Sequence, residues 1–541
     1  MTARDDLQRV ARDVFGWERL RPAQLQAMDA VLAGRDVLAV MATGSGKSAI
    51  YQVPGVLLEG ITLVISPLIA LQRDQISGLA AAGAPDAVAI NSLLGGDETD
   101  RAWTALRERA AEYVFLAPEQ LDNDDVVAAL TDAGISLVVV DEAHCVSSWG
   151  HDFRPSYLRI GDTVERLGHP RVVALTATAS PLVRREIVEQ LRLREPLIVA
   201  SGFDRPNIRL EVSHHVDDDD KRAAALAATL AAARPALLYT ATRADAEGYA
   251  AQLNSEEVQA LAYHAGLSRA DRDAVHTRFR AGEVDVVTAT SAFGMGIDKS
   301  DVRTVVHASI PDSVDNYYQQ IGRAGRDGQP AVALLFYRPE DLGLGRFFAS
   351  HNPDPALLAC VYSAVQSAPG PLTLADLHAD IDAPERRVTN VLNLLEQAGL
   401  VRPTGAGFAV ARRTSLQDAV TSATAVVERL ERIDRTRVEM MRGYAETRDC
   451  RRQFLLGYFG ETLEHPCGNC DRCDDAAGQP APPPVDGTRW TVDEPVVHRQ
   501  WGPGVVMSVE DDRITVLFDE YGYRTLLLAS IEESGVLRVS S

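Results

Sequence analysis

The sequence predicts an α/β protein: two tandem domains with parallel sheets, then a winged-helix-like module, a zinc-binding helical module and a small C-terminal β-barrel. Three observations carry this. Short apolar or β-branched runs recur with helical stretches between them, at 36–40, 62–66, 113–116, 137–140 and 172–175. A second series starts near Phe203 and continues at 236–239, 284–288, 302–306 and 332–336. That rhythm builds a parallel sheet covered on both faces. Four of the six cysteines lie together, at 450, 467, 470 and 473. Beyond a Pro-rich stretch, runs at 496–499, 504–509, 514–518 and 524–528 alternate with turn residues, the pattern of a barrel of about five strands.

The boundaries follow in order: 1–202 and 203–348 for the α/β domains, 349–415 for the winged-helix-like module, 416–475 for the zinc module, 476–490 for a linker and 491–541 for the barrel. The Asp217–Asp220 run before Lys221 reads as a solvated helix start or an exposed loop. Helices at 374–379 and 385–397 and a hairpin at 400–411 make the winged-helix pattern. Its second helix would expose Arg386, Arg387, Asn390 and Asn393, types suited to phosphate or base contacts. Five arginines balance five acids between 371 and 413, so a protein-packing role stands beside DNA contact. Helical segments at 415–431 and 435–444 lead to the cysteines, and Pro480 with Pro482–Pro484 marks the linker.

Bulk composition sets limits. With 541 residues, 46% hydrophobic and 24% charged, the chain is an ordinary multidomain globular protein. No apolar run approaches the roughly 18–20 residues of a membrane span, and the first residues lack the order of a signal peptide, so a cytoplasmic, nucleoid-associated location is expected. A net charge of −22 excludes a generally basic surface, which leaves nucleic-acid binding to local grooves. The tail from 474 holds five arginines against twelve acids, so part of the acidity lies away from the α/β domains. Clustered cysteines in a reducing compartment point to metal rather than disulfides, and Cys145 and Cys360 read as buried thiols.

The chemistry-bearing motifs sit at strand ends. Thr43-Gly44-Ser45-Gly46-Lys47-Ser48 follows the first strand. Its glycines let backbone N–H groups cradle phosphates, Lys47 neutralises the outer phosphates and Ser48 suits Mg²⁺. Only three lysines occur, at 47, 221 and 299, so an ammonium in this loop stands out against the use of arginine elsewhere. The run 137–140 leads into Asp141-Glu142-Ala143-His144; Asp141 suits Mg²⁺, and Glu142 suits the polarisation of an attacking water. Gln319-x-x-Gly322-Arg323-Ala324-Gly325-Arg326 supplies cations from the second domain for the charge that develops on a γ-phosphate. Cys450-x16-Cys467-x2-Cys470-x2-Cys473 offers four thiolates for a closed, structural Zn²⁺ site.

Taken in order, these residues resemble the RecQ family of superfamily-two DNA helicases across nearly all of 10–475. The resemblance extends to Phe15-Gly16-Trp17 with Arg21-Pro22-x-Gln24, Ser66-Pro67-Leu68 with Asp74-Gln75, Ala117-Pro118-Glu119, Thr176-Ala177-Thr178, Tyr263-His264-Ala265-Gly266 and Ala292–Lys299, which contains Asp298. It implies RecA-like domains, ATP selected by an aromatic at Trp17 and an amide at Gln24, and 3′-to-5′ translocation with duplex unwinding in DNA repair and recombination. Trp149, His151, Phe153 and Arg154 resemble the family's aromatic-rich loop, which implies contact with a single strand. Single-stranded and forked DNA are the implied partners.

Two features depart from that layout. The winged helix precedes the cysteines, and no helical nucleic-acid domain follows. Residues 497–506 instead resemble the Tudor-like barrel that ends UvrD and PcrA helicases, which with the acidic tail suggests a protein partner. The rival readings are an RNA helicase, a DNA-stimulated translocase or annealing factor without robust unwinding, and a non-enzymatic docking protein. The last would be expected to have lost Lys47, Glu142 or an arginine finger.

Overall fold

The computed structural model describes residues 3–42, 44–67, 69–91, 96–108, 110–148, 153–294, 299–342, 354–476, 489–491, 494–509, 512–519 and 521–540. The first domain is built on β1 (Val37–Met41), β2 (Ile61–Ile65), β3 (Ala87–Ile90), β4 (Tyr113–Leu116), β5 (Ile135–Val140), β6 (Arg171–Thr176) and β7 (Leu197–Ser201). They form one parallel sheet in the order β3-β4-β2-β5-β6-β1-β7. Both faces are buried, and successive residues go to opposite cores. Leu38, Val40, Val138 and Val140 enter one cluster, whereas Val37, Ala39, Leu137 and Val139 enter the other.

The second domain repeats the plan with β8 (Ile208–His214), β9 (Ala236–Tyr239), β10 (Ala260–Tyr263), β11 (Val286–Ala289), β12 (Thr304–His307) and β13 (Ala331–Tyr337). Their order is β10-β11-β9-β12-β13-β8, again parallel. The acidic run is a helix start: Asp217 accepts from the Asp219 and Asp220 N–H groups, and Asp218–Ala231 is the helix.

Helices Pro355–Ser367, Leu374–Asp380 and Glu385–Gln397 and the hairpin β14 (Val401–Thr404) with β15 (Gly407–Val410) share a core of their own, in the element order of a winged helix. Cys360, expected to be buried, is exposed on the first of these helices. The helical region that follows differs from the two segments expected. Leu416–Glu446 is one helix of 31 residues, roughly 45 Å at the usual rise, because Arg432-Ile433-Asp434 contains no helix breaker. Ala419 and Ala423 lie in the winged-helix core, while Met441 and Tyr444 lie in the core shared with the α/β domains.

Strands β16 (Pro495–His498), β17 (Gly502–Val509), β18 (Arg513–Phe518), β19 (Gly522–Leu527) and β20 (Leu537–Val539) form the antiparallel C-terminal sheet, in the order β19-β18-β17-β16-β20. Trp490, Val496, Val506, Ile514, Val516 and Phe518 fill it. The sheet packs on the rest of the chain: Met507, Leu517 and Tyr523 join the shared core, and Arg185 of the first domain pairs with Asp519 at 2.5 Å. Among the described residues no helix is long and apolar enough to cross a membrane.

Candidate active site

The phosphate loop follows β1. Gly44 and Gly46 stand at φ of +79° and +78°, where a side chain is strained. A Cβ on Gly46 would also come within 2.7 Å of Gln24 Nε2. Lys47 is half-buried, and its ammonium donates to the Met41 carbonyl at 3.0 Å. Burial lowers its pKa, against the raising effect of Glu142 and Asp141 nearby. Ser45 Oγ is buried with no hydrogen-bond partner, a polar atom that a phosphate oxygen in the cradle would suit. Ser48 Oγ accepts from Gln75 Nε2 at 3.1 Å. The Gln75 carbonyl accepts from Tyr51 and Gln52, at 3.2 and 2.9 Å. Gln75 therefore orients the hydroxyl expected to meet Mg²⁺, a role the motif alone did not reveal.

Strand β5 delivers the acidic pair to the same place. Asp141 lies 3.4 Å from the Ser66 hydroxyl, and burial, with Glu142 beside it, raises its carboxyl to about 7. Glu142 adopts φ +48°, a strained conformation of the kind that clusters at active sites. His144 ties this pair to Thr176. Its Nδ1 lies 2.9 Å from Thr176 Oγ1 and 3.3 Å from Glu142 Oε2. Burial pulls His144 down to about 3, so the ring is neutral. Because the Thr176 hydroxyl donates to the Thr178 carbonyl, Nδ1–H is the donor towards Thr176.

The second domain closes the site unequally. A Cβ on Gly44 would meet Arg326 Cδ at 3.8 Å, so this arginine lies on the phosphate loop, and its charge helps depress Lys47. Arg323 is buried beside Tyr239 within its own domain, where its charge opposes the upward push of burial on that phenol's pKa. Gln319 is half-buried on the helix Val314–Ile321 that leads to both. Arg205 and Asn207 fix the loop by donating to the carbonyls of Gly322, Ala324 and Gly325 at 2.8–3.1 Å.

On the far side of the loop Trp17 is half-buried and stacks on Phe15, with centroids 4.8 Å apart. Gln24 accepts from the Arg21 N–H at 2.8 Å and donates to the Ser45 and Gly46 carbonyls at 3.1 and 2.9 Å. Both amide protons are thus held by the phosphate loop, and a base edge must draw at least one of them away. Thr43, Trp149, His151 and Asp298 lie outside the described residues. Phe153 and Arg154 are half-buried where the aromatic loop rejoins the fold. Its start is tied down by Ser147, which donates to Glu186 at 2.7 Å, and by Arg437, which donates to the Ser148 carbonyl at 3.0 Å. Arg386 and Arg387 are exposed on the winged helix, Arg387 pairing with Asp354 at 3.1 Å.

Cys450, Cys467, Cys470 and Cys473 converge, with all four sulfurs within 4.8 Å of one another. Separations of 3.9 Å between Cys467 and Cys473 and 3.4 Å between Cys470 and Cys473 bracket the ~3.8 Å edge of a tetrahedral zinc thiolate set. Backbone N–H groups of Cys467 and Asn469 donate to sulfur at 3.3 Å, as thiolates require. The donor set fits Zn²⁺. Behind it the fully buried Arg451 forms a fork on Asp471 at 2.6 and 2.8 Å. The knuckle also covers the exposed edge of β8, where Leu210 N–H donates to the Asn469 carbonyl at 3.4 Å and Val212 N–H to Asp471 at 3.2 Å.

Comparison with known proteins agrees with this layout. The DEAD/DEAH box helicase family matches residues 21–185, the helicase conserved C-terminal domain 221–328, and the RecQ zinc-binding family 413–474. The ATP-dependent DNA helicase RecQ of Pasteurella multocida is 34% identical over 87% of this chain, and the chain spans 62% of that protein's length. The probable ATP-dependent DNA helicase RecS of Bacillus subtilis is 38% identical over 62% of the chain and 68% of its own length. Among solved structures, the DUF1998 helicase MrfA bound to DNA superposes with a TM-score of 0.53 at 17% identity, covering 77% of this chain and 60% of that one, a likeness of fold. With a helicase pair of domains joined to a RecQ zinc knuckle, and with such identity to RecS over two thirds of its length, the chain belongs to the RecQ family of ATP-dependent DNA helicases.

Proposed function

We propose that the chain is a 3′-to-5′ DNA helicase that couples ATP hydrolysis to movement along a single strand and to separation of forked duplexes, in repair and recombination at the nucleoid. One observation carries this reading: Arg326, from the second domain, lies against Gly44 of the first domain's phosphate loop, so the nucleotide site is shared between two bodies. The named activity of the relatives supports the substrate class. Lys47 and the loop N–H groups bind the phosphates, Glu142 holds the attacking water, and Arg326 meets charge that develops on the γ-phosphoryl group. Ser48 and Asp141 would hold Mg²⁺, which when bound neutralises the phosphates. Loss of the γ-phosphate removes what Arg326 binds, so the domains part and the strand advances past the aromatic loop. Trp17 and Gln24 would select adenine.

The decisive experiment is ATP turnover with and without single-stranded DNA or RNA, in the wild type and in Lys47→Ala. DNA-stimulated turnover that the variant loses by about 10²-fold or more is expected; stimulation by RNA alone would overturn the substrate class. A second reading, a translocase without robust unwinding, is favoured by the position of the hairpin tip, where a Cβ on Gly405 would lie 3.8 Å from Asn123 of the first domain. A hairpin docked there is not free to part strands. Unwinding of a forked duplex at a rate that follows ATP turnover would exclude it.

Asp141 also sets a pH expectation. With its carboxyl raised to about 7, the proton competes with the divalent cation as pH falls through that value. Apparent Mg²⁺ affinity should be about tenfold weaker at pH 6 than at pH 8, measured as the Mg²⁺ dependence of turnover, with saturating Mg²⁺ narrowing the gap.

A further inference from the structure

The helix Val314–Ile321, which ends where the arginine loop begins, is held by buried hydroxyls from three directions. The Tyr458 hydroxyl, from the helix Arg451–Tyr458, donates to Asp315. Tyr317 and Tyr444 share a hydrogen bond at 3.0 Å, and Tyr318 donates to the Phe203 carbonyl, in the connection between the α/β domains, at 2.7 Å. The first of these contacts reaches the C-terminal barrel. Tyr523, on β19, stacks on Tyr458 with centroids 5.1 Å apart and donates to the Tyr458 carbonyl at 3.1 Å. On its other side the barrel reaches the first domain through Asp519, at the end of the neighbouring strand β18, which pairs at 2.5 Å with Arg185 of the first-domain helix Pro181–Gln190. That helix begins shortly after the Thr176-Ala177-Thr178 motif, in the domain that carries the phosphate loop.

A core that needed only apolar volume at these two places would be filled by phenylalanine; a buried hydroxyl is retained where its bond matters. Both hydroxyls have partners in series, Tyr523 on the Tyr458 carbonyl and Tyr458 on Asp315 of the second domain, while Asp519 ties the same barrel to Arg185 of the first. The arginine loop has little freedom of its own, since Gly325 N–H donates to the Val302 carbonyl at 2.8 Å and Arg205 and Asn207 hold the neighbouring carbonyls. A displacement of the helix is therefore passed to Arg326, and a small misplacement of a charge-stabilising group costs rate.

Resting on the ATPase reading above, we propose that Tyr458 and Tyr523 are positioning residues for Arg326: through them the C-terminal barrel holds the arginine-bearing helix at the phosphate loop, so ATP hydrolysis depends on a domain that does not touch the nucleotide. The barrel is thus a strut across the seam as well as an appended module.

The test uses the full chain as wild type, Tyr458→Phe, Tyr523→Ala and Asp315→Asn. Turnover with saturating single-stranded DNA, zinc content, thermal unfolding and hydrogen exchange over residues 314–326 are measured. Tyr458→Phe and Tyr523→Ala should lower kcat about 5- to 30-fold with KM for ATP changed less than about threefold, because an interaction of the transition state is lost rather than ground-state binding. Zinc content should stay complete, and exchange should quicken over 314–326. Asp315→Asn keeps an acceptor for the Tyr458 hydroxyl and should remain within about threefold of wild type. Unchanged kcat and exchange in both tyrosine variants would overturn the proposal, as would a loss of kcat matched by a general loss of protection across the chain. A wild type without DNA-stimulated turnover would sink the functional reading; a competent wild type with unaffected tyrosine variants would sink the strut alone.

Discussion

Arg326→Ala is expected to lower kcat for ATP by about 10³-fold while binding of a non-hydrolysable ATP analogue weakens less than about tenfold. The asymmetry follows from placement. Among the described residues, Arg326 is the one of the two loop arginines that lies on the phosphate loop, where its charge is felt by Lys47. Charge on the outer phosphoryl oxygens changes most in the transition state, so a guanidinium held there acts more on rate than on affinity. Arg323→Ala should behave differently. Its guanidinium is buried against Tyr239, and truncation leaves a void and an altered hydroxyl environment, at a cost of about 2–4 kcal/mol in stability. Thermal unfolding beside steady-state kinetics separates the two. Equal kinetic defects in variants of equal stability would show that both arginines reach the nucleotide.

That contrast marks where the sequence stops being informative. The spacing of Gly322, Arg323, Gly325 and Arg326 announces two cations near a turn, and both are expected at the phosphate; nothing local says that Tyr239, more than eighty positions earlier, claims one of them. The sheets show the same limit. Every central strand is legible as an apolar run because both faces are buried. In the two parallel sheets, the four strands that the apolar rhythm does not predict, β3, β7, β8 and β10, are the edges. Edge strands carry a weaker apolar signal: β8 alternates buried Ile208 and Leu210 with Arg209 and Glu211, and β3 is short and alanine-rich. The sequence pattern breaks at Arg432–Asp434 because the burial of the long helix changes partner there, from the winged helix to the shared core, while its backbone continues. Catalytic residue types were legible because phosphate and metal chemistry restrict them. Their supports were not, since Gln75 behind Ser48 and Arg205 behind the arginine loop are linked to the site only by folding.

Cys470→Ser is expected to remove bound zinc and to lower the first thermal unfolding transition by about 10 °C or more, with ATP turnover falling alongside it. Cys470 is fully buried and pairs with Leu210 of β8, so the knuckle is built into the edge of the second domain rather than hung from it. Around it, Arg451 donates to Asp471 and to the Tyr444 carbonyl, and Tyr444 bonds Tyr317 on the arginine-bearing helix. Glu461, in the same module, accepts from the Gly202 and Phe203 N–H groups at 3.2 and 3.1 Å, in the connection between the α/β domains. Structural zinc in small modules is worth roughly 10–16 kcal/mol of folding free energy, more than the few contacts on either side can replace. Loss of the metal should therefore free the connection and the arginine helix together. Hydrogen exchange would show this as joint deprotection of residues near 203, 317 and 444, with the core of β1 and β5 still protected. Retention of full turnover after verified zinc removal would mean that the knuckle only decorates the second domain, and that the hydrogen bonds around it hold without the ion.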